Sequence, residues 1–230
     1  GLLKELIAAS SSLRILVTSR IALRLSIECE YAVLPLSVPP RDAALSAAAS
    51  NEYAAIRLFA ARAQTSKKGF ALTEENAAAV ADICRRLDGL PLAIELAAAR
   101  VRLLSVDAIL ARLENSLQLL TGGANDLPER QRTMRAAIEW SCDLLDDDAR
   151  RLFQRLAVFV GGFTVEAAEA IADEDAAGVS VLDLLTSLLD NNLLALREQK
   201  DDGTRLQMLE VVRDFAFEML RETGELDDIR

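Results

Sequence analysis

The chain has 230 residues, of which 51% are hydrophobic, and its 36 Asp and Glu outnumber its 26 Lys and Arg. This composition supplies a core for one to three small domains, and the negative charge disfavours nucleic-acid phosphates and anionic lipid as partners. The sequence has no histidine, which excludes Ser-His-Asp triads and removes the commonest zinc ligand. No uncharged apolar run predicts a membrane span, and three scattered cysteines without a CxxC pair predict reduced thiols in a cytoplasmic protein.

Residues 1–40 are predicted to be the end of an α/β domain. The opening sequence GLLKELIAASSSL has the apolar spacing of the second half of an amphipathic helix, and it lacks the pattern of a signal peptide. We therefore expect the chain to be a piece of a longer protein. The run RILVTSR at 14–20 predicts a strand buried on both faces, and AVLPL at 32–36 predicts a second strand that ends at Pro39 and Pro40.

The next region, 41–123, is predicted to be a small helical domain. Alanine-rich 41–63 indicates one long helix, and a second helix is predicted from an N-cap at Thr73 to Arg86. A shorter helix is expected at 106–113.

The sequence GLPLAIELAAAR at 89–100 carries the strongest turn pattern of this region. Gly89 predicts a left-handed stop after one helix, and Pro91 predicts the first turn of the next. That next helix is apolar nearly all round, which indicates burial by neighbours on several sides. A helix stop followed by a helix start is enough to explain the GLPL sequence. The alternative is that this rigid turn also presents an apolar wall to a flat purine ring.

The polar segment 121–133 predicts a domain boundary, and the pattern beyond it is that of a winged-helix module. Gly161 and Gly162 predict a tight turn, with Thr164 as the cap of the helix that follows. The aspartates of LDDDAR at 145–150 predict a helix cap rather than a metal site. Helices are expected at 132–141, 147–157, 164–172 and 180–190, then a hairpin of 193–199 and 204–209 with an Asp-Gly turn, then a helix at 210–222.

Five stretches, in this order, carry a resemblance that covers nearly the whole chain: ILVTSR (15–20), GLPLAIELAAAR (89–100), AAIEWSCDLL (136–145), RLFQRLAVFVGGFTVEAAEAI (151–171) and MLEVVRDFA (208–216). Together they resemble the STAND-class signal-transduction ATPases of the NB-ARC type, in the branch found in bacterial transcriptional regulators and plant resistance proteins. The resemblance implies a mainly α chain with three parts. These are the remnant of a parallel α/β nucleotide-binding domain at 1–40, an ARC-like helical domain at 41–123 and a winged-helix domain at 124–230.

The resemblance also implies a nucleotide site. Arg20 takes the place of an arginine that faces the nucleotide γ-phosphate, and Gly89, Leu90, Pro91 and Leu92 take the place of the motif whose proline packs on adenine. In such proteins the winged helix folds over bound ADP and swings away on exchange for ATP. From the residues alone, Arg20 is better explained as an exposed arginine of a connecting loop.

Two departures from the family pattern limit what this chain does alone. The phosphate loop G-x-x-x-x-G-K-[ST] and the acidic strand that holds Mg²⁺ do not occur in it, and we expect both upstream of residue 1. Met208-Leu209-Glu210 stands where many relatives carry Met-His-Asp, and Leu209 cannot donate a hydrogen bond to the ADP β-phosphate. The intact protein is expected to be a slow ATPase switch that binds ATP or ADP with Mg²⁺. This chain alone is expected to hold no tightly bound nucleotide and no catalytic residue.

The charge of the predicted winged helix disfavours direct DNA binding. Residues 131–230 hold 11 Lys and Arg against 22 Asp and Glu, and the predicted recognition helix at 180–192 has two aspartates and no Lys or Arg. The sequence thus favours a regulatory module whose winged helix is an intramolecular lid. Its expected partners are other domains of the same protein, namely the phosphate-loop half, an effector domain and sensor repeats, with no nucleic acid and no membrane. A nucleotide-free helical scaffold and a DNA-binding regulator stay as alternatives.

Overall fold

The computed structural model describes residues 5–6, 9–10, 12–19, 23, 25–41, 46–113, 116–123, 128, 132–172, 180–199 and 203–227. The chain divides into two compact units, Gly1–Tyr31 and Ala32–Arg230. Among the helices of the described residues, none is long and apolar enough to cross a membrane.

In the first unit, the run at 13–19 does not form a strand, and Leu16 is 96% exposed. In the second unit, residues 32–36 form no strand either, and Val33 and Leu34 are exposed. Both predicted strands are therefore wrong over the described residues. A strand needs a neighbour for its backbone N–H and C=O groups, and none pairs with these segments in the part that the structure describes. Arg20 lies outside the described residues.

The helical part of the second unit differs from the prediction in two helices. The helix predicted at 41–63 is broken at residues 51–53, and the helix predicted to start at Thr73 begins only at Ala77, after a turn at 74–76. The elements are α1 (Ala47–Ser50), α2 (Ala54–Ser66), α3 (Ala77–Arg86), α4 (Pro91–Ala99), a 3₁₀ turn (Arg100–Arg102), α5 (Val106–Arg112) and α6 (Ser116–Leu119).

Helix α4 forms the centre of this helical part, as its apolar composition predicts. Its buried face consists largely of alanines, and these small side chains let α4 pack closely along α2. The buried residues of α4 are Ala93, Ile94, Leu96, Ala97 and Ala98.

The winged-helix elements agree with the prediction in type, order and approximate bounds. The helices are α7 (Met134–Cys142), α8 (Asp147–Leu156), α9 (Val165–Ile171) and α10 (Val181–Asp190). They precede β1 (Ala195–Gln199), β2 (Gly203–Gln207) and α11 (Glu210–Thr223). The strands are antiparallel, with Leu196 opposite Leu206, and Phe163 forms an isolated bridge to the other side of Leu206.

The predicted helix caps of this part are confirmed. The side chain of Asp146 accepts a hydrogen bond from the N–H of Ala149 at 2.8 Å, and Thr164 accepts one from Ala167 at 3.3 Å. Asp146 therefore caps α8, as the run LDDDAR predicts. Gly161 and Gly162 both have positive φ, which the predicted tight turn requires.

We call residues 46–120 the helical module and residues 132–227 the winged-helix module. One continuous cluster of buried hydrophobic side chains runs through both, from Ala55 to Ala216. Helix α11 packs on α7 and α8 of its own module and on α6 of the helical module. The two modules therefore share one core in this structure.

Candidate functional site

The candidate site is the turn between α3 and α4, residues 88–92, which we call the elbow. Helix α3 ends at Arg86, and Asp88 and Gly89 then have left-handed φ values of 50° and 69°. The N–H of Gly89 donates to the Cys84 carbonyl at 3.1 Å, which closes the C-terminus of α3. Pro91 starts α4 at its first position. The predicted roles of Gly89 and Pro91 as helix stop and helix start are confirmed.

A short segment, residues 36–39, crosses the elbow, and we call it the strap. The N–H of Leu36 donates to the Gly89 carbonyl at 3.0 Å, and Arg85 Nε donates to the Pro39 carbonyl at 2.9 Å. A Cβ atom added to Gly89 would lie 2.1 Å from the Leu36 carbonyl oxygen. Glycine is therefore required here by the close approach of two backbones as well as by φ.

The elbow also contacts the winged-helix module, through a residue that sequence analysis missed. Asp88 Oδ2 accepts a hydrogen bond from the backbone N–H of Glu210 at 2.6 Å, across 122 residues of sequence. Glu210 is the first residue of α11, and Leu209, which precedes it, makes no side-chain cap. Asp88 thus supplies a carboxylate to the N-terminus of a helix in the other module, where the helix dipole favours negative charge.

The surroundings of Asp88 shift its acidity. Partial burial raises the pKa of the Asp88 carboxyl from 3.8 to about 6, and the hydrogen bond from the Glu210 N–H opposes that shift. The carboxylates of Glu210 and Asp214 raise the pKa further, while Arg197 of β1 lowers it. The carboxylate is therefore poorly stabilised by its surroundings near neutral pH.

The predicted cofactor residues of the elbow are contiguous but differ in exposure. Gly89 is buried, Leu90 and Leu92 are half-buried, and Pro91 is exposed. The Gly89 N–H and carbonyl are both occupied by backbone partners. Because Arg20 lies outside the described residues, its predicted place facing the nucleotide γ-phosphate stays a prediction.

Helix α10, the predicted recognition helix, presents an acidic and apolar surface to solvent. Leu182, Asp183 and Thr186 are exposed, and α10 contains no Lys or Arg. The two arginines of the wing make contacts within their own module: Arg197 donates to Gln207 Oε1 at 3.1 Å, and Arg205 donates to the Gly162 carbonyl at 3.2 Å.

A half-open pocket of about 240 Å³ lies between α7, α8 and α11. Its two arginines already have partners: Arg135 pairs with Glu218 and lies 5.4 Å from the centre of the Phe215 ring, and Arg150 donates to the Cys142 carbonyl at 3.0 Å. Burial raises the pKa of the Cys142 thiol in the same wall to about 12, so this thiol is a poor nucleophile. The elbow is therefore the better candidate.

Comparison with known proteins finds a family match within the winged-helix module. Residues 145–221 match the winged helix-turn-helix domain family. This range runs from the turn before α8 into α11 and includes the acidic helix α10 and the β1–β2 wing. The winged-helix part of the predicted fold is thereby established, and the nucleotide-binding remnant stays a prediction.

Two relatives align along almost the whole chain. The chain is 42% identical over 228 residues to a Mycobacterium tuberculosis protein named as a candidate HTH-type transcriptional regulator, covering 99% of this chain and 24% of that protein. It is 37% identical over 231 residues to an uncharacterised Mycobacterium bovis protein, covering 55% of that protein. The chain thus spans about a quarter of the length of the first relative and about half of the length of the second.

Proposed function

We propose that this chain is the regulatory module of a transcriptional regulator, with the winged helix as an intramolecular lid on the helical module. In the intact protein, exchange between ADP and ATP would set whether the lid is docked. The proposal draws on the similarity to a protein named as an HTH-type regulator and on the motif order in the sequence. Its expected partners are other domains of the same protein.

The observation that carries the lid role is the charge of α10. Affinity for DNA comes mainly from Lys and Arg that neutralise phosphates. Helix α10, the element that would enter a major groove, has Asp183 and Asp190 and no basic residue. Residues 131–230 carry 22 acidic against 11 basic side chains, which adds to the repulsion.

The residues of the elbow fit only one part of a nucleotide. Exposed Pro91, with half-buried Leu90 and Leu92, offers an apolar surface on which a purine base could pack. They do not fit the phosphates, because the Gly89 backbone groups are occupied and the sequence contains no phosphate loop. We therefore assign no hydrolytic step to this chain. The role of Arg20 at the γ-phosphate, and of Mg²⁺ with ATP or ADP, belongs to the proposal for the intact protein.

A second candidate function, direct DNA binding, is favoured by the family match of residues 145–221. In that case Arg197 and Arg205, the arginines of the described wing strands, would be candidates to contact phosphates. The two candidates differ in one measurable property, the salt-dependent affinity of the native chain for duplex DNA.

Fluorescence anisotropy with a labelled 30-base-pair duplex at 50 and 200 mM salt separates these candidates. We expect the native chain to bind more weakly than about 100 μM at both salt concentrations, below the usual range of non-specific binding. The variant Asp183→Lys/Thr186→Lys, which places two cations on the exposed face of α10, is the positive control and should gain salt-dependent binding. Micromolar, salt-dependent binding by the native chain would instead support the DNA reader.

The same assay with a fluorescent ADP analogue examines the nucleotide part of the proposal. We expect affinity no tighter than about millimolar, because only the base would find a partner in this chain. Micromolar binding would contradict the conclusion that these residues do not fit the phosphates, and Pro91→Ala would then show whether the elbow is the site.

A further inference from the structure

The start of α11 depends on the other module. Helix α11 is 14 residues long, and its N-cap residue, Leu209, has no side-chain hydrogen-bond acceptor. The Glu210 N–H is instead bound by the Asp88 carboxylate of the elbow at 2.6 Å. By contrast, α8 is capped by Asp146 from within its own module.

We propose that the Asp88 side chain is an intramolecular latch that holds the winged-helix module on the elbow. The latch closes when Asp88 binds the N-terminus of α11 and opens when that hydrogen bond is lost. This inference rests on the proposed function in one respect, since it names the contact that keeps the lid docked.

The backbone of the elbow places the Asp88 side chain and keeps it there. Asp88 adopts a left-handed φ of 50°, a conformation that few residues besides Gly, Asn and Asp adopt readily. Its N–H donates to the Arg85 carbonyl at 3.0 Å, and the strap holds the next residue through the Leu36–Gly89 hydrogen bond. The carboxylate is thus presented from a rigid turn, and the moving partner is the winged-helix module.

The charges around the latch oppose its closure when Asp88 is ionised. Glu210 and Asp214 of α11 repel the Asp88 carboxylate, Arg197 of β1 attracts it, and partial burial removes water from it. Two interactions favour the ionised carboxyl in the docked state: the hydrogen bond from the N-terminus of α11 and the attraction of the Arg197 guanidinium. A latch balanced in this way responds to a small change in charge or in competing contacts.

The balance predicts how docking depends on pH. The pKa of Asp88 is about 6 in the docked state and has its ordinary value of 3.8 when the carboxyl is solvated. Between these values the docked state binds the proton more strongly, and the protonated carboxyl still has an oxygen that accepts from the Glu210 N–H. Docking is therefore strongest below about pH 4 and weakens as pH rises through 6 and the carboxyl ionises. Because Asp88 is only half-buried, we expect a change of about tenfold in the docking equilibrium between pH 4 and pH 7.

Hydrogen exchange measured by mass spectrometry, expressed as protection factors, tests the latch in the full chain. Asp88→Asn keeps an acceptor oxygen and the left-handed turn but cannot ionise. We expect it to keep the amides at 210–213 protected and to remove the pH dependence between pH 4 and 7. Asp88→Ala removes the acceptor, and we expect at least tenfold faster exchange at 210–213, at β1 and at the elbow together.

Asp146→Ala is the matched control. It also deletes a carboxylate that caps a helix, but the Asp146 cap of α8 lies within the winged-helix module and does not connect the two modules. This variant should leave exchange at 210–213 and its pH profile unchanged. If Asp88→Ala speeds exchange only at 210–213, Asp88 is a helix cap and not a latch. If amide exchange at 210–213 depends on pH in the same way in the native chain and in Asp88→Asn, the proposal is wrong. This comparison does not need the Asp88→Ala variant, so it holds if that variant does not fold. DNA binding is measured separately, so failure of the lid function is distinguishable from failure of the latch.

Discussion

At the scale of single residues, Gly89 shows how two constraints can meet at one position. Its φ of 69° favours glycine, and the Leu36 carbonyl lies where a Cβ atom would be. The first constraint is readable from the sequence, because glycine commonly ends a helix. The second arises from the strap, which lies more than 50 residues earlier in the chain.

Gly89→Ala should therefore destabilise the chain by at least about 2 kcal/mol, measured by urea unfolding, because strain in φ and a backbone overlap add. Gly69→Ala is the control: Gly69 has a φ of 88°, and nothing lies within 4 Å of its added Cβ. Only the conformational penalty of about 1 kcal/mol is expected there. Equal losses for the two variants would show that the strap yields without penalty.

At the scale of elements, two helices begin on groups that lie far away in the sequence. Helix α11 begins at the Asp88 carboxylate, and α2 begins at Ser37 of the strap. Ser37 Oγ accepts from the Ala54 N–H at 3.1 Å, and the Ser37 carbonyl accepts from the Ala55 N–H at 3.2 Å. Tyr53, which directly precedes α2, makes no side-chain cap. These helix starts tie the elements into one unit.

Ser37→Ala should lower the free energy of unfolding by about 0.5 to 1 kcal/mol, because the Ala54 N–H loses its partner. Ser180→Ala is a matched control, since Ser180 is also exposed and precedes α10 without making a cap hydrogen bond. We expect the control to change stability by less than about 0.5 kcal/mol in the same chemical denaturation experiment. A loss at Ser180 as large as that at Ser37 would contradict the remote cap.

At the scale of the whole molecule, the helical and winged-helix modules are joined by packing as well as by the latch. The buried hydrophobic cluster passes from α2 and α4 through to α11 without a break. One buried cysteine lies in each module, Cys84 in α3 and Cys142 in α7, and burial raises the pKa of both thiols to about 12. These thiols therefore report on the opening of each module separately.

We predict that the two modules unfold in one transition. Pulsed alkylation along a urea series should label Cys84 and Cys142 at the same urea concentration, and the fluorescence of Trp140 in α7 should change there too. Cys29 is exposed and serves as the internal reference for the reagent. Labelling of Cys142 at distinctly lower urea than Cys84 would show that the winged helix unfolds independently of the helical module.

Local patterns were sufficient for the winged-helix elements and for their caps at Asp146 and Thr164, because capping and amphipathic spacing act within a few residues. They were also sufficient for the stop at Gly89 and the start at Pro91. They failed for the strands at 14–20 and 32–36, since an apolar run is a strand only when another strand pairs with it. The start at Thr73 was wrong because a turn at 74–76 separates it from α3.

The sequence by itself determined the order of helices, the hairpin, the acidic character of α10 and the left-handed turn of GLPL, because these depend on composition and on neighbours along the chain. Only the tertiary structure decided that Asp88 caps α11, that Ser37 caps α2 and that Leu36 excludes any side chain from position 89. A helix N-terminus leaves several N–H groups without a partner, and the acceptor that meets them can come from any residue that folding brings within reach. That choice has no local signature, so the site that joins the two modules becomes visible only in the folded chain.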